Sequence, residues 1–271
     1  MQKNNNSNLK ISCIIPAHDR NNLLLEAIGS VLSQSCQPAE IIIVNNGSAA
    51  VSLPDEIVSR VRVFDILPHA GVAQARNFGA SVAQGDFLAF LDDDDLWNTD
   101  YLKNVSEAIN DGAVCAISRL DKLKNKEISG FKNADNKITI KNILIFNPGL
   151  TGSNIVVAKN IFFAVGGFDP KLPPSEDKAL ILEILRADKK IVTLPDNQAI
   201  IRVHNMGRLT DGDKMISGIR QFMIKYKHLM NQQEYLFNLL KIYRYRRQQG
   251  EKKIILLQFL VKLLYLFKKL F

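Results

Sequence analysis

The stretch GDFLAFLDDDDLW, residues 85–97, decides the fold of this chain. Residues 87–91 form a short apolar run typical of a buried strand, and four adjacent aspartates follow it at once, residues 92–95, here called the Asp run. Apolar strands that alternate with helices indicate a mostly parallel sheet covered by helices on both faces. Because ligands bind at the carboxyl ends of such strands, the Asp run is predicted to lie at a binding edge.

Short apolar runs typical of strands also occur before and after this stretch. Further buried strands are predicted at residues 11–15, 40–44, 61–66 and 113–118, with helices between them. The polar residues 121–141 are predicted to form a loop or a marginal hairpin, and two short strands are predicted at 191–194 and 199–203, on either side of Pro195. We expect a disordered start over residues 1–10, one α/β domain over 11–212 with halves at 11–120 and 121–212, and a helical tail over 213–271.

Composition is that of an ordinary globular protein. The chain has 271 residues, 46% of them hydrophobic and 23% charged, which is enough for a sizeable core. The 3 cysteines are scattered without metal-binding spacing and are expected to be reduced. The start lacks the apolar core of a secretory signal, so we expect the bulk of the protein in the cytoplasm.

The net charge of +8 is concentrated in the tail. Residues 225–271 hold 11 Lys and Arg against 2 Asp and Glu, which leaves 24 basic and 25 acidic side chains in the rest. From residue 253 on, a narrow polar stripe with Lys262 and Lys269 crosses an otherwise apolar helical pattern too short to span a membrane. This pattern favours an interfacial helix on an anionic membrane surface, and no nucleic-acid partner is expected. The alternative is a helix that packs on the catalytic domain or on a partner subunit.

Four adjacent carboxylates at a strand end repel one another unless a cation or strong donors compensate them. Residues i and i+2 of an extended chain point to the same side, so Asp92 and Asp94 can face one ion. Carboxylate and phosphate oxygens together suit Mg²⁺ or Mn²⁺. The alternative is a solvated acidic turn that caps the helix predicted from Thr99.

Seven segments occur in an order that resembles glycosyltransferase family 2, and they cover roughly residues 10–205. The segments are IIPAHDR (14–20), SVLSQS (30–35), EIIIVNNGS (40–48), GVAQARNFG (71–79), residues 85–97, VGGFD (165–169) and SED (175–177). The resemblance implies the GT-A (Rossmann-like) fold. It also implies that residues 11–120 bind the nucleotide-sugar and that residues 121–212 bind the acceptor.

The resemblance assigns the nucleotide and metal contacts. Asp92 and Asp94 match the DxD motif that holds a metal ion and the donor diphosphate, and Asp93 between them is placed near the ribose. Pro16 and His18 match the nucleotide loop after the first strand, with His18 against the base.

The base-binding position departs from the family pattern. Asn46 stands where the family usually has an aspartate that contacts uracil, and Asn45 replaces a second aspartate. An amide oxygen still accepts a hydrogen bond from a base N–H, so a UDP-sugar is the leading expectation. Arg76 is expected to reach the nucleotide or the Asp run, with a structural ion pair as the alternative.

The remaining assignments lie in the second half of the domain. Asp177 matches the usual catalytic base, with Glu176 as an acceptor-side or supporting residue; without the resemblance, both read as first-turn acids of a helix. His204 matches a late histidine that approaches the metal. Ser153 falls where related enzymes contact the acceptor.

Together these features predict an inverting, metal-dependent glycosyltransferase that transfers a hexosyl or N-acetylhexosaminyl group. Its acceptor would be a glycan or lipid-linked glycan, in cell-surface polysaccharide or lipopolysaccharide synthesis at the inner face of the plasma membrane. One alternative is a sugar nucleotidyltransferase, although residues 16–20 are not the Gly-rich loop which that class carries after its first strand. The other is a non-catalytic, membrane-associated sugar-binding relative.

Overall fold

The computed structural model describes residues 9–109, 112–131, 138–203, 212–251, 259 and 261–263. Within these residues the chain forms one sheet of nine strands with helices packed around it. The strands are β1 (Ile11–Ala17), β2 (Glu40–Asn45), β3 (Arg62–Asp65), β4 (Phe87–Phe90), β5 (Leu96–Trp97), β6 (Cys115–Lys124), β7 (Glu127–Gly130), β8 (Ile155–Ala158) and β9 (Ile191–Arg202). The helices are α1 (Asn21–Leu32), α2 (Asp55–Val58), α3 (Val72–Val82), α4 (Tyr101–Ile109), α5 (Ile140–Ile145), α6 (Lys159–Ala164), α7 (Glu176–Arg186), α8 (Gly212–Tyr226) and α9 (Gln232–Gln248).

The strand order is β3-β2-β1-β4-β8-β6-β9-β5, and β7 pairs with β6. Neighbours β3, β2, β1 and β4 are parallel, β8 is antiparallel to β4 and β6, and β9 is parallel to β6. Six of the nine described strands therefore run in one direction, and the predicted α/β class with a mostly parallel sheet is confirmed.

Each face of the sheet carries its own apolar core. Successive side chains of a strand point to opposite faces. In β1, Ile14 belongs to one core and Cys13 and Ile15 to the other. Helices α1 and α4 cover the second face, while α3, α7 and α8 cover the first. Helix α3 crosses β1 at Gly79, where an added Cβ would lie 2.5 Å from Ile14 Cγ2, so that position requires glycine.

The second half differs in detail from the predicted elements. Asn125 and Lys126 both have positive φ, 52° and 68°, and form the two-residue turn of the β6–β7 hairpin. The two short strands predicted around Pro195 are one continuous strand, β9. Its ladder with β6 contains register shifts near Arg119, and such irregularities allow a proline inside a strand.

The described C-terminal helices pack on the sheet domain. Phe222 and Tyr226 of α8 belong to the core of the first face, and Lys225 lies 2.7 Å from Asp169. In α9, Asn238 Nδ2 donates to the Leu144 carbonyl at the end of α5, at 2.8 Å. Helices α8 and α9, which belong to the predicted helical tail, therefore pack on the sheet domain.

Most of the predicted interfacial helix lies outside the described residues, and so does most of the predicted disordered start. Among the described helices, none has the length and apolar content that crossing a bilayer requires.

Candidate active site

The Asp run leaves the carboxyl end of β4 beside the end of β1, where the Leu91 N–H donates to the Ile14 carbonyl at 3.1 Å. One carboxylate oxygen each of Asp92, Asp94 and Asp95 lies within 4.8 Å of the others. Hard cations such as Mg²⁺ and Mn²⁺ prefer oxygen ligands. The residues present therefore fit a divalent cation, with the predicted pair Asp92 and Asp94 in the cluster.

The run forms a turn, in which the Asp95 N–H donates to the Asp92 carbonyl at 3.1 Å, so the strict alternation of an extended chain is not kept and Asp95 joins the cluster. Asp93 is outside the cluster. Its carboxylate accepts from the His18 backbone N–H at 2.8 Å and lies 2.5 Å from Arg20 Nη2. The side chain is 1% exposed. Burial raises the pKa of Asp93 to about 7, although Arg20 opposes the shift.

Asp95 is also buried. It accepts from Ser153 Oγ at 2.6 Å and from the Arg202 backbone N–H at 2.9 Å. Burial, with Asp94 and Asp92 nearby, raises its pKa well above the ordinary value. Ser153 also accepts from the Asp92 N–H at 3.1 Å and is 0% exposed. The burial of Ser153 fits support of the Asp run better than direct contact with an acceptor.

Arg76 joins the Asp run to α7. Its guanidinium lies 2.5 Å from Asp92 Oδ1 and 3.0 Å from Glu176 Oε1, and it is centred 5.0 Å from the Phe168 ring. Burial alone would lower the pKa of Arg76, but the two carboxylates raise it well above its ordinary value. The side chain is 2% exposed, so the contacts in the structure are those of the ion pair.

The space that Arg76 occupies depends on Gly152, because a Cβ at that position would overlap the guanidinium. We expect Gly152→Ala to lower the free energy of unfolding by about 1–3 kcal/mol, the usual cost of overpacking. Urea denaturation measures this change. Gly29→Ala is the matched control, because no atom lies within 4 Å of its added Cβ and alanine favours the helix α1. Equal effects of the two substitutions would contradict the steric role of Gly152.

Glu176 and Asp177 begin α7 and place two carboxyl groups beside Arg76. They are first-turn acids of the helix, as the alternative interpretation predicted. Asp177 Oδ1 accepts from the Lys178 N–H at 2.6 Å. Burial, and then the charge of Glu176, raises the pKa of Asp177 to about 7, which suits a general base near neutral pH.

The predicted nucleotide contacts meet at the ends of β1 and β2. Pro16 is inside β1 opposite Val44. The next residue but one, His18, has its Nδ1 3.2 Å from the Asn46 carbonyl and 3.3 Å from Asn46 Oδ1. His69 lies edge-on to His18 at 5.3 Å between ring centres. The structure therefore brings His18 and Asn46 together and adds His69, which no sequence motif had singled out.

Asn45 is tied into the protein. Its amide donates to the Ala49 carbonyl at 3.0 Å and to Asp65 at 2.8 Å, and its oxygen accepts from the Gly47 N–H at 3.0 Å. A cavity of about 320 Å³ lies beside it and is lined by Asp19 and Arg20, among others. Neither His18 nor Asn46 lines this cavity, so the cavity lies beside the predicted nucleotide contacts.

Three contributions to the site were missed by sequence reasoning. Arg20 pairs with Asp93 and Asp94, Asp95 joins the carboxylate cluster, and Arg202 Nε donates to the Asp94 carbonyl at 3.1 Å. For Arg20 a signal was present, because it closes the segment 14–20 at the end of the first strand. The predicted metal ligand His204 lies outside the described residues.

Solved structures with the same architecture include S. aureus TarS. The form comprising residues 1–349, in complex with UDP-GlcNAc, superposes with a TM-score of 0.64 at 16% identity, over 88% of this chain and 72% of that one. A further structure of TarS 1–349 gives 0.64 at 17% identity, over 89% of this chain and 74% of that one. These likenesses show that the chain has the GT-A fold.

Sequence comparison narrows this class. The chain matches glycosyl transferase family 2 over residues 12–168, and it belongs to that family. An uncharacterized glycosyltransferase of Rickettsia typhi is 25% identical over 265 residues, covering 85% of this chain and 77% of the relative. GlyG of Streptococcus pneumoniae is 31% identical over 106 residues, covering 37% and 35%. Against another relative, from Rickettsia felis, the chain spans only 31% of the relative's length.

Proposed function

We propose that this chain is a metal-dependent, inverting glycosyltransferase that transfers a sugar from a UDP-sugar to a glycan or lipid-linked glycan. The observation that carries the proposal is the cluster of carboxylates from Asp92, Asp94 and Asp95, joined through Arg76 to the acids at the start of α7. One part of this arrangement suits a diphosphate-bound cation, and the other suits proton transfer.

Asp92 and Asp94 would hold Mn²⁺ or Mg²⁺, with His204 as a further ligand. A cation bound there stabilises the negative charge of the leaving nucleoside diphosphate. Asp93, which accepts from the His18 N–H, would keep the loop after β1 in place at the ribose.

Asp177 would accept the proton of the acceptor hydroxyl as its oxygen attacks the anomeric carbon. The bond from that carbon to the diphosphate oxygen breaks in the same displacement, so the configuration inverts. Glu176, held by Arg76 at 3.0 Å, keeps the first turn of α7 beside the Asp run.

UDP is the proposed nucleotide. The support is the Asn46 amide oxygen next to His18, which can accept from the uracil N–H, and the UDP-GlcNAc complex of the structurally similar TarS. Pro16 is near the carboxyl end of β1, and Arg76 contacts Asp92 at the carboxyl end of β4. A nucleotide contact of either residue stays a prediction.

The proposed acceptor and location rest on the tail. With 11 basic and 2 acidic residues among 225–271, an anionic membrane surface is the proposed partner. A peripheral position on the cytoplasmic face of the plasma membrane would bring the site to lipid-linked glycans of cell-surface polysaccharide or lipopolysaccharide.

A thermal-shift screen of UDP, GDP and TDP, each with Mn²⁺ or Mg²⁺, tests the donor assignment. At about 100 times its dissociation constant a ligand stabilises by ~2.7 kcal/mol, which corresponds to a rise in Tm of roughly 5 °C for a chain of this size. We expect that rise for UDP with cation and a smaller one for GDP and TDP. A larger rise with GDP or TDP would contradict the base assignment, and no rise with any nucleotide would contradict the proposed function.

A further inference from the structure

Two arginines neutralise the Asp run, and their settings differ. Arg76 is 2% exposed and lies between Asp92 and Glu176. Arg20 is 24% exposed; its Nη2 is 2.5 Å from Asp93 Oδ1 and its Nη1 is 2.5 Å from Asp94 Oδ2. Each terminal nitrogen of Arg20 therefore contacts one carboxylate. One of these carboxylates, Asp94, is a proposed cation ligand.

Arg20 also has an unused hydrogen-bond donor and open space beside it. Its Nε is buried and has no hydrogen-bond partner in the described structure. The side chain lines the cavity of about 320 Å³ next to the loop after β2, so open space beside it leaves the guanidinium freedom to move. Arg76 lacks this freedom, because it is enclosed by Phe168 and the Gly152 backbone.

We propose that Arg20 is an exchangeable counter-cation of the Asp run. It pairs with Asp93 and Asp94 in the free protein, and it moves its fork onto phosphate oxygens when a divalent cation and a nucleoside diphosphate bind. This inference rests on the proposed function and makes Arg20 a positioning residue for the donor.

The two states differ in what the guanidinium neutralises. In the free protein, Arg20 lowers the affinity of the run for a divalent cation, because like charges at close range repel. In the complex, the cation replaces Arg20 at Asp94, and the planar fork matches the geometry of phosphate oxygens. Cation and diphosphate each favour the state in which Arg20 has moved, so each should raise the affinity for the other by the same factor.

Isothermal titration calorimetry of the full chain tests this coupling without an activity assay. Mn²⁺ is titrated into the free protein, and UDP is titrated with and without saturating Mn²⁺. The variants are Arg20→Gln, which removes the charge, and Arg20→Lys, which keeps the charge but loses the fork. Arg62→Gln is the control, since Arg62 pairs with Glu40 at the same 2.5 Å at the other end of the sheet.

Arg20→Gln should bind Mn²⁺ about tenfold more tightly than wild type when no nucleotide is present, and the factor by which Mn²⁺ strengthens UDP binding should fall at least about tenfold. Arg20→Lys should keep wild-type Mn²⁺ affinity, but Mn²⁺ should strengthen its UDP binding by a smaller factor than in wild type. This variant preserves the test if Arg20→Gln does not fold. Unchanged or weaker Mn²⁺ binding by a folded Arg20→Gln, or an unchanged factor in either variant, overturns the inference. If wild type itself does not bind UDP with Mn²⁺, the proposed function fails instead.

Discussion

Asp177→Asn is expected to lower kcat by about a thousandfold, within the range that a positioned general base contributes. The amide keeps the size of the side chain and still accepts from the Lys178 N–H, but it cannot take the proton of the acceptor hydroxyl. Binding of UDP with Mn²⁺ should be retained, because the substitution leaves the Asp run intact. Product formation from a UDP-sugar, measured alongside calorimetric UDP binding, separates the two effects.

The pH dependence gives an independent check of the same residue. With the pKa of Asp177 near 7, wild-type kcat should rise through neutral pH as the carboxyl loses its proton and becomes a base. The residual activity of Asp177→Asn should lack this rise. Asp188→Asn is the matched control, because Asp188 is exposed just beyond the other end of α7 and should keep wild-type kcat. A residual activity of Asp177→Asn that keeps the wild-type pH profile would assign the base elsewhere.

The second large effect is expected at the cation site. Asp94→Asn removes one of three clustered carboxylates and should weaken Mn²⁺ binding by more than about 100-fold, since even groups behind the ligands of a metal are worth roughly 10–100-fold. Cation-stimulated hydrolysis of the UDP-sugar should fall with it. Mn²⁺ titration by calorimetry, followed by the hydrolysis assay at saturating UDP-sugar, measures both.

Asp86→Asn controls for the loss of a negative charge. Asp86 is an exposed carboxylate just before the start of β4, at the end of the strand opposite to the Asp run. The Asp86→Asn protein should therefore match wild type in Mn²⁺ affinity and in hydrolysis of the UDP-sugar. Should Asp94→Asn bind Mn²⁺ as tightly as Asp86→Asn, the cluster would not be the cation site.

Much of the first half of the fold was predictable because its strands carry local signals. The apolar runs at 11–15 and 40–44 correspond to β1 and β2, and the polar residues after them end the strands where the pattern changes. The second half was less predictable. Pro195 indicated a break, but pairing with β6 keeps β9 continuous through irregular register. The two-residue strand β5 is too short to leave any periodic signal.

The candidate site divides in the same way. Alternation along an extended run predicted that Asp92 and Asp94 could face one ion without Asp93. Both belong to the cluster, but the run turns, so Asp95 joins them and one Arg20 guanidinium contacts both Asp93 and Asp94. Arg20 is 74 positions from Asp94, and Arg76 is 16 positions from Asp92 and 100 from Glu176, so these pairings depend on which strand ends become neighbours.

The sequence by itself therefore determined the α/β class, the family and the position of the acidic cluster at a strand end. These follow from residue pattern and order, which act over a few neighbouring positions. Only the tertiary structure decided which cations neutralise the cluster: Arg76 enclosed against Glu176, and Arg20 half-buried beside a cavity. The physical reason is that charge pairing and burial depend on distances between chain segments, and those distances are set by the order of the strands in the sheet.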